Sequence, residues 1–116
     1  MSSDSPTDTG DSILVFTNFP SQEVARKIGK ALVEKQLAAC INILSGCESI
    51  YLWEGKIEQE AEIPALIKTT LEKFGELETV LTEMHPYDTP EVIALPIIAG
   101  SQAYLDWIQA CVGPSS

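Results

Sequence analysis

The sequence predicts an α+β fold: an antiparallel sheet carrying two helices on one face, with a further helix at the C-terminus. Three observations carry this expectation. The hydrophobic pattern switches between strand-like and 3.6-residue periods in the order β-α-β-β-α-β, followed by one more helical stretch. The chain has 116 residues, 45% of them hydrophobic, so one domain can bury a core without disulfide staples. Finally, two long stretches of strand character meet at Trp53-Glu54-Gly55-Lys56, which reads as the tip of an antiparallel hairpin.

Taking the elements in order, residues 1–11 are rich in Ser, Asp, Thr and Pro and are expected to form a disordered tail, neither signal peptide nor anchor. Ile13 to Thr17 is continuously apolar or small, the pattern of a central strand covered on both faces. Asn18-Phe19-Pro20-Ser21 turns the chain. Ser21 is an N-cap for a helix whose Val24, Ala25, Ile28, Ala31 and Leu32 share one stripe, ending near Gln36. Leu37 to Trp53 alternates as a strand interrupted at Ser45-Gly46.

Ile57 to Thr70 alternates over fourteen residues, about 45 Å of extended chain, which is longer than a compact domain of this size needs. Part of this hairpin must project or meet another chain. Pro64 falls inside the alternation and cannot donate a ladder hydrogen bond, marking an edge or a bulge. Phe74, Leu77, Leu81 and Met84 recur at helical spacing, and His85 ends that helix because Pro86 disfavours a helical residue before it. Val92 to Ile98 is the last strand. Ser101 opens a final helix with Tyr104, Leu105, Ile108 and Val112 on its buried face, and Gly113-Pro114 stops it, leaving 113–116 as a tail. The whole is the split βαβ, ferredoxin-like pattern over residues 12–112.

A formal charge of −10, from 17 acids and 7 bases, argues against nucleic acid or an anionic membrane surface as partner. The longest apolar run, Ile13 to Phe16, falls far short of the roughly 20 residues a membrane helix needs. Cys40, Cys47 and Cys111 form an odd, widely spaced set, the usage of a reducing compartment, and the cytoplasm is the simple reading. No GxSxG, HExxH or Gly-rich phosphate loop is present, so the pattern gives no support for an enzyme.

Four runs resemble the CutA family of divalent-cation tolerance proteins: Lys35 to Asn42, Tyr51 to Glu58, Lys68-Thr69-Thr70, and His85-Pro86-Tyr87-Asp88-Thr89-Pro90-Glu91. The resemblance implies a ferredoxin-like protomer that forms a homotrimer through its extended strands, similar to PII-type signalling proteins. It also implies a link to tolerance of copper and other divalent ions in bacteria and, for animal members, to anchoring of acetylcholinesterase. It points to Cys40 and His85 as metal ligands. Some bacterial members carry a further cysteine where this chain has Thr17, which weakens a cysteine-rich copper site.

Thiolate and imidazole suit copper, but two ligands from one chain do not close a site. The alternative is that His85 caps its helix and Cys40 is a small core residue. Glu58, Glu60 and Glu62 alternate on one strand face about 7 Å apart, inviting cations or simply solvating an edge. Tyr51, Trp53 and Tyr87, beside Glu60, Lys68 and Glu91, are the aromatic and polar residues of a candidate ligand cleft. Glu60 and Lys68 lie about 27 Å apart along their strand, so a site using both requires a second subunit. Two functional readings follow. One is a homotrimer binding copper or another divalent ion in metal tolerance. The other is a PII-like scaffold whose inter-subunit clefts take a small molecule or a protein partner, with no metal role; neither needs a cofactor to fold.

Overall fold

A computed structural model describes residues 8–113; the expected tails at 1–7 and 114–116 lie outside it. The strands are β1 (Ser12–Phe19), β2 (Cys40–Ile43), β3 (Cys47–Trp53), β4 (Lys56–Thr70) and β5 (Val92–Pro96). The helices are α1 (Gln22–Glu34), α2 (Leu71–Met84) and α3 (Gln102–Val112). The strands lie in the order β2-β4-β1-β5, all neighbours antiparallel, with β3 also on β4. This is the ferredoxin-like α+β arrangement, and β1 is central as its continuous apolar character requires.

Alternation divides the sheet into two faces. Val15, Phe19, Ala65 and Ile67 meet Ala25, Ile28 and Leu32 of α1 and Leu77 and Leu81 of α2 in one core, all fully buried. Ser21 caps α1 by accepting from the Val24 N–H at 3.2 Å. The helix ends in a Schellman motif: Leu37 N–H bonds the Leu32 carbonyl at 2.9 Å, and Gln36 N–H the Val33 carbonyl at 3.0 Å. Gln36 takes the left-handed position, φ 58°, that glycine fills most readily. These bonds draw Leu37 and Ala38 into the helix terminus, so β2 begins at Cys40 and not at Leu37.

β4 is shared among three partners. Its second half, from Ile63, lies between β1 and β2, whereas its first half, 56–62, pairs only with β3. Pro64 sits where the partner changes. It pairs with Asn18 on one side, and on the other its carbonyl accepts from Leu44 N–H at 3.0 Å, beside the Ser45-Gly46 break between β2 and β3. The missing donor of Pro64 therefore faces the gap between two strands and not a sheet edge. Beyond it the β3–β4 hairpin projects, giving extents of 56 × 31 × 23 Å and a radius of gyration of 15.9 Å against about 13 Å for a compact chain of this length. Its tip, Glu54-Gly55, has φ of 50° and 80°, both positive as a two-residue type I′ turn demands.

Residues 8–11, the end of the expected tail, lie against α3: the Gln102 side chain bonds the Asp8 backbone in both directions, and Gln109 Nε2 donates to the Gly10 carbonyl at 2.6 Å. One further expectation is corrected. Tyr104 is 43% exposed, paired with Trp107 on the outer side of α3, while Leu105, Ile108 and Val112 make the buried face. The apolar stripe of that helix is one residue narrower than its composition suggests.

Candidate functional site

Strand register builds one wall of a groove of about 650 Å³. On the outer face of the projecting hairpin, Cys47 lies opposite Glu62, Ser49 opposite Glu60, Tyr51 opposite Glu58, and Trp53 opposite Lys56. The row of carboxylates is thus flanked by two aromatic rings. The Tyr51 phenol donates diagonally to Glu60. That bond, then loss of water, then the negative charges of Glu60, Glu58 and Glu62 push the phenol from 10.0 up to about 12.

The loop after α2 builds the opposite wall. His85 leaves the helical conformation, with φ −77° and ψ 138°, as the residue before a proline must. Its ring is buried, stacked on Phe19 at 5.5 Å and tilted against Tyr87 at 4.8 Å. Nδ1 accepts the Tyr87 backbone N–H at 3.1 Å, so Nε2 carries the hydrogen and donates to the Asn18 carbonyl at 2.7 Å. Both ring nitrogens are engaged. His85 therefore fixes Tyr87 and the end of β1, and it does not fit a metal without giving up one of these bonds.

Asn18 joins the two walls: its Nδ2 donates to Glu91 Oε1 at 2.8 Å, and its Oδ1 lies 3.9 Å from the Cys47 thiol. The Tyr87 hydroxyl reaches Glu62 at 3.5 Å. Burial first, and the charges of Glu62 and Glu60 after it, raise the Tyr87 phenol above its ordinary value. Both phenols are held as neutral donors. Asp88 and Thr89 complete the lining, and no Lys, Arg or His is part of it. The groove is aromatic and acidic, suited to a cation.

Of the residues expected in a cleft, Tyr51, Trp53, Glu60, Tyr87 and Glu91 come together here. Lys68 does not. It bonds Asn42 and pairs in register with Cys40, four residues beyond Pro64 on β4. Cys40, half-buried, has the Asn42 side chain 4.0 Å from its sulfur. Since His85 sits on Asn18, opposite Pro64, Cys40 and His85 stand roughly 13 Å apart along the sheet and form no common ligand set in one chain. Among the described residues, no group of three or more His, Cys, Asp or Glu is arranged to hold a metal ion. Asn18 and Cys47 were not singled out by sequence reasoning. A polar residue closing an apolar central strand was the available signal for Asn18.

Comparison with known proteins supplies the lineage of this arrangement. The family described as "CutA1 divalent ion tolerance protein" matches residues 13–111, nearly the whole chain. The chain belongs to the CutA1 family. Among CutA1 relatives, the divalent-cation tolerance protein CutA of Thermus thermophilus is 47% identical over 100 residues, which are 86% of this chain and 97% of that one. The chloroplastic CutA of Arabidopsis thaliana is 43% identical over 87% of this chain, which spans 56% of that longer protein. The solved structure of the periplasmic divalent cation tolerance protein CutA from Archaeoglobus fulgidus superposes with a TM-score of 0.85 at 42% identity, covering 88% of this chain and 99% of that one. The CutA1 name refers to tolerance of divalent ions and not to a reaction. Among the described residues no helix is long and apolar enough to cross a membrane.

Proposed function

We propose that this chain acts in divalent-cation tolerance as a homotrimer that binds copper or another divalent ion weakly and reversibly. The observation that carries this reading is the groove lined by Glu58, Glu60, Glu62, Asp88 and Glu91 with no basic residue in its lining, in a chain of the CutA1 family. Such oxygens suit hard divalent ions. Each ion would be held by one or two carboxylates and water, which gives modest affinity and a protein that follows the free-ion level. Cys40 offers a softer donor on the other side of Pro64, where copper(I) needs further ligands from a neighbouring subunit.

The trimer reading is supported by the apolar side chains on the hairpin face opposite the groove, Ile50, Leu52 and Ile57, exposed by 66%, 66% and 72%. An isolated two-stranded hairpin is marginal in water, so this element gains its stability by packing on another subunit. Three free cysteines suit the cytoplasm. No reaction is assigned to the groove.

A second reading, a scaffold whose inter-subunit clefts take a small molecule or a protein, is favoured by the absence of a three-donor cluster among the described residues. Titration of the reduced protein with Cu(I), Cu(II), Zn(II) and Ni(II) against chelators separates the two. The metal reading expects binding near or weaker than about micromolar, reduced in the double variant Glu60→Gln, Glu62→Gln and retained in His85→Ala. Loss in Cys40→Ala alone would move the site to the thiol. No binding to any variant would leave the scaffold reading.

A further inference from the structure

We propose that the start of α2 is a binding site for a small zwitterion of the α-amino-acid type, whose carboxylate meets the helix end and the hydroxyls of Ser12 and Thr70 while its ammonium meets Asp11. The site is a hollow of about 430 Å³ that shares no lining residue with the acidic groove. Gly10 and Asp11 form one side of it, Thr70 and Glu72 another, and Gln109 and Gly113, at the end of α3, the third. None of these residues lies on the β3–β4 hairpin, where the proposed subunit contact is placed.

Two buried hydroxyls point to a ligand. Ser12 and Thr70 stand opposite each other across β1 and β4, so their side chains are neighbours on one face of the sheet. They are 2% and 6% exposed. Ser12 Oγ has no hydrogen-bond partner among the described residues. The Thr70 hydroxyl makes no bond there either, although Thr70 lines the hollow. Buried hydroxyls ordinarily find a partner, and a carboxylate seated in the hollow accepts from both. The helix end is the independent second feature. Ser21 and Ser101 cap α1 and α3 with their hydroxyls, whereas Thr70 holds the same position before α2, extended at φ −117° and ψ 157°, and does not cap it. The Asp11 carbonyl takes the Leu71 N–H at 2.9 Å. With no side-chain cap, the positive end of α2 favours an anion in the hollow it borders.

Charge then selects the ligand. A bare anion would face the carboxylates of Asp11 and Glu72, which line the same hollow, and a bare metal ion would face the positive end of α2. A molecule carrying both charges satisfies both sides at once. Glu72 by itself needs no ligand, since an acid in the first turn complements the helix dipole. The paired hydroxyls have no such account. The third side is held in place: Gln109 Nε2 donates to the carbonyls of Thr9 and Gly10 at 3.3 and 2.6 Å. Gly10, at φ 56°, lies so close to α3 that a Cβ there would run into the Gln109 side chain. Asp11 follows directly, anchored through its carbonyl on Leu71 and exposed at the rim, where an ammonium group can reach its carboxylate.

Titration of the isotopically labelled full chain with L-alanine, followed by its amide resonances, tests the proposal, with acetate and methylamine as the two halves of the same charge pair. The expected result is saturable shifts in Gly10, Asp11, Ser12 and the first turn of α2 at about millimolar L-alanine. Acetate and methylamine should each bind at least about tenfold more weakly. Asp11→Asn and Thr70→Val should each weaken L-alanine binding about tenfold, and Thr70→Ser, which keeps the hydroxyl, should retain it. Glu78→Gln, an exposed acid farther along α2, should bind as the native chain does. Circular dichroism confirms that each variant is folded. The proposal is overturned if L-alanine gives no saturable shift, or if acetate binds as tightly as L-alanine and Asp11→Asn changes neither, which is an anion at a helix end and nothing more. It is overturned equally if Thr70→Val binds as the native chain does, which leaves the hydroxyls to bridging water. Metal titration of Thr70→Val keeps this site separable from the groove: ion binding there survives the substitution and L-alanine binding does not.

Discussion

Thr17 is fully buried on the core face of β1, and its hydroxyl has no hydrogen-bond partner among the described residues. Thr17→Val keeps the shape and removes the orphaned group, so it should stabilise the fold by about 1 kcal/mol, seen as a higher denaturant midpoint with unchanged slope. At Tyr51 the shift has a definite sign. The folded state holds the phenolic proton more tightly, so this contribution to stability is whole below pH 10.0 and is lost as pH rises toward about 12. Glu60→Gln removes the largest cause, and phenolate absorbance should then show Tyr51 ionising closer to its ordinary value. The aromatic and acidic residues of the groove were legible in the sequence because strand alternation places side chains two apart on one face. Lys68 shares that parity with Glu60, and its distance along β4 keeps it out of the groove of one chain. Asn18 was not legible, since its role arises from contacts with Cys47, His85 and Glu91, each distant in sequence.

Among the elements, α1 and the β3–β4 hairpin follow closely from local signals: the Ser21 cap, the 3.6-residue stripe and the Glu54-Gly55 turn. The start of β2 does not, because Leu37 and Ala38 alternate like a strand while their N–H groups close the end of α1 through Leu32. A glycine would have announced that terminus, and Gln36 hides it. Gln36→Gly should relieve the left-handed backbone and stabilise the chain by about 0.5 kcal/mol, after allowance for the greater freedom of the unfolded glycine. Thermal unfolding would register a small upward shift; a downward one would mean that the Gln36 side chain contributes packing that outweighs its backbone strain. The last helix shows the complementary error: Tyr104 has the right spacing for a buried residue, yet faces outward beside Trp107.

For the whole molecule, the long alternation of β4 already announced a part that does not fit inside one compact body. The overlength follows from one strand serving β3 along its first half and β1 and β2 along its second, with Pro64 at the change. Leu52 and Ile57 lie opposite each other on the exposed hairpin face. Replacing both by glutamate should leave the core formed by α1, α2 and the sheet intact and shift the protein to a smaller species in light scattering after gel filtration. An unchanged mass would place the subunit contact elsewhere, with Ile93, Leu95 and Ile98 as the other exposed apolar residues near β5.

If the chain assembles as proposed, the same half-paired strand links stability to how much protein is present. Residues 56–62 of β4 pair with β3 on one side only, so in one chain their remaining backbone donors and acceptors face water. In the proposed trimer, ordering this ribbon would be part of association and not a prelude to it, and mass action would govern it. Dilution should lower the unfolding temperature and raise hydrogen exchange in the hairpin well before it does so in β1 or α2, and the groove, whose acidic wall is this ribbon, should lose its shape over the same range of concentration.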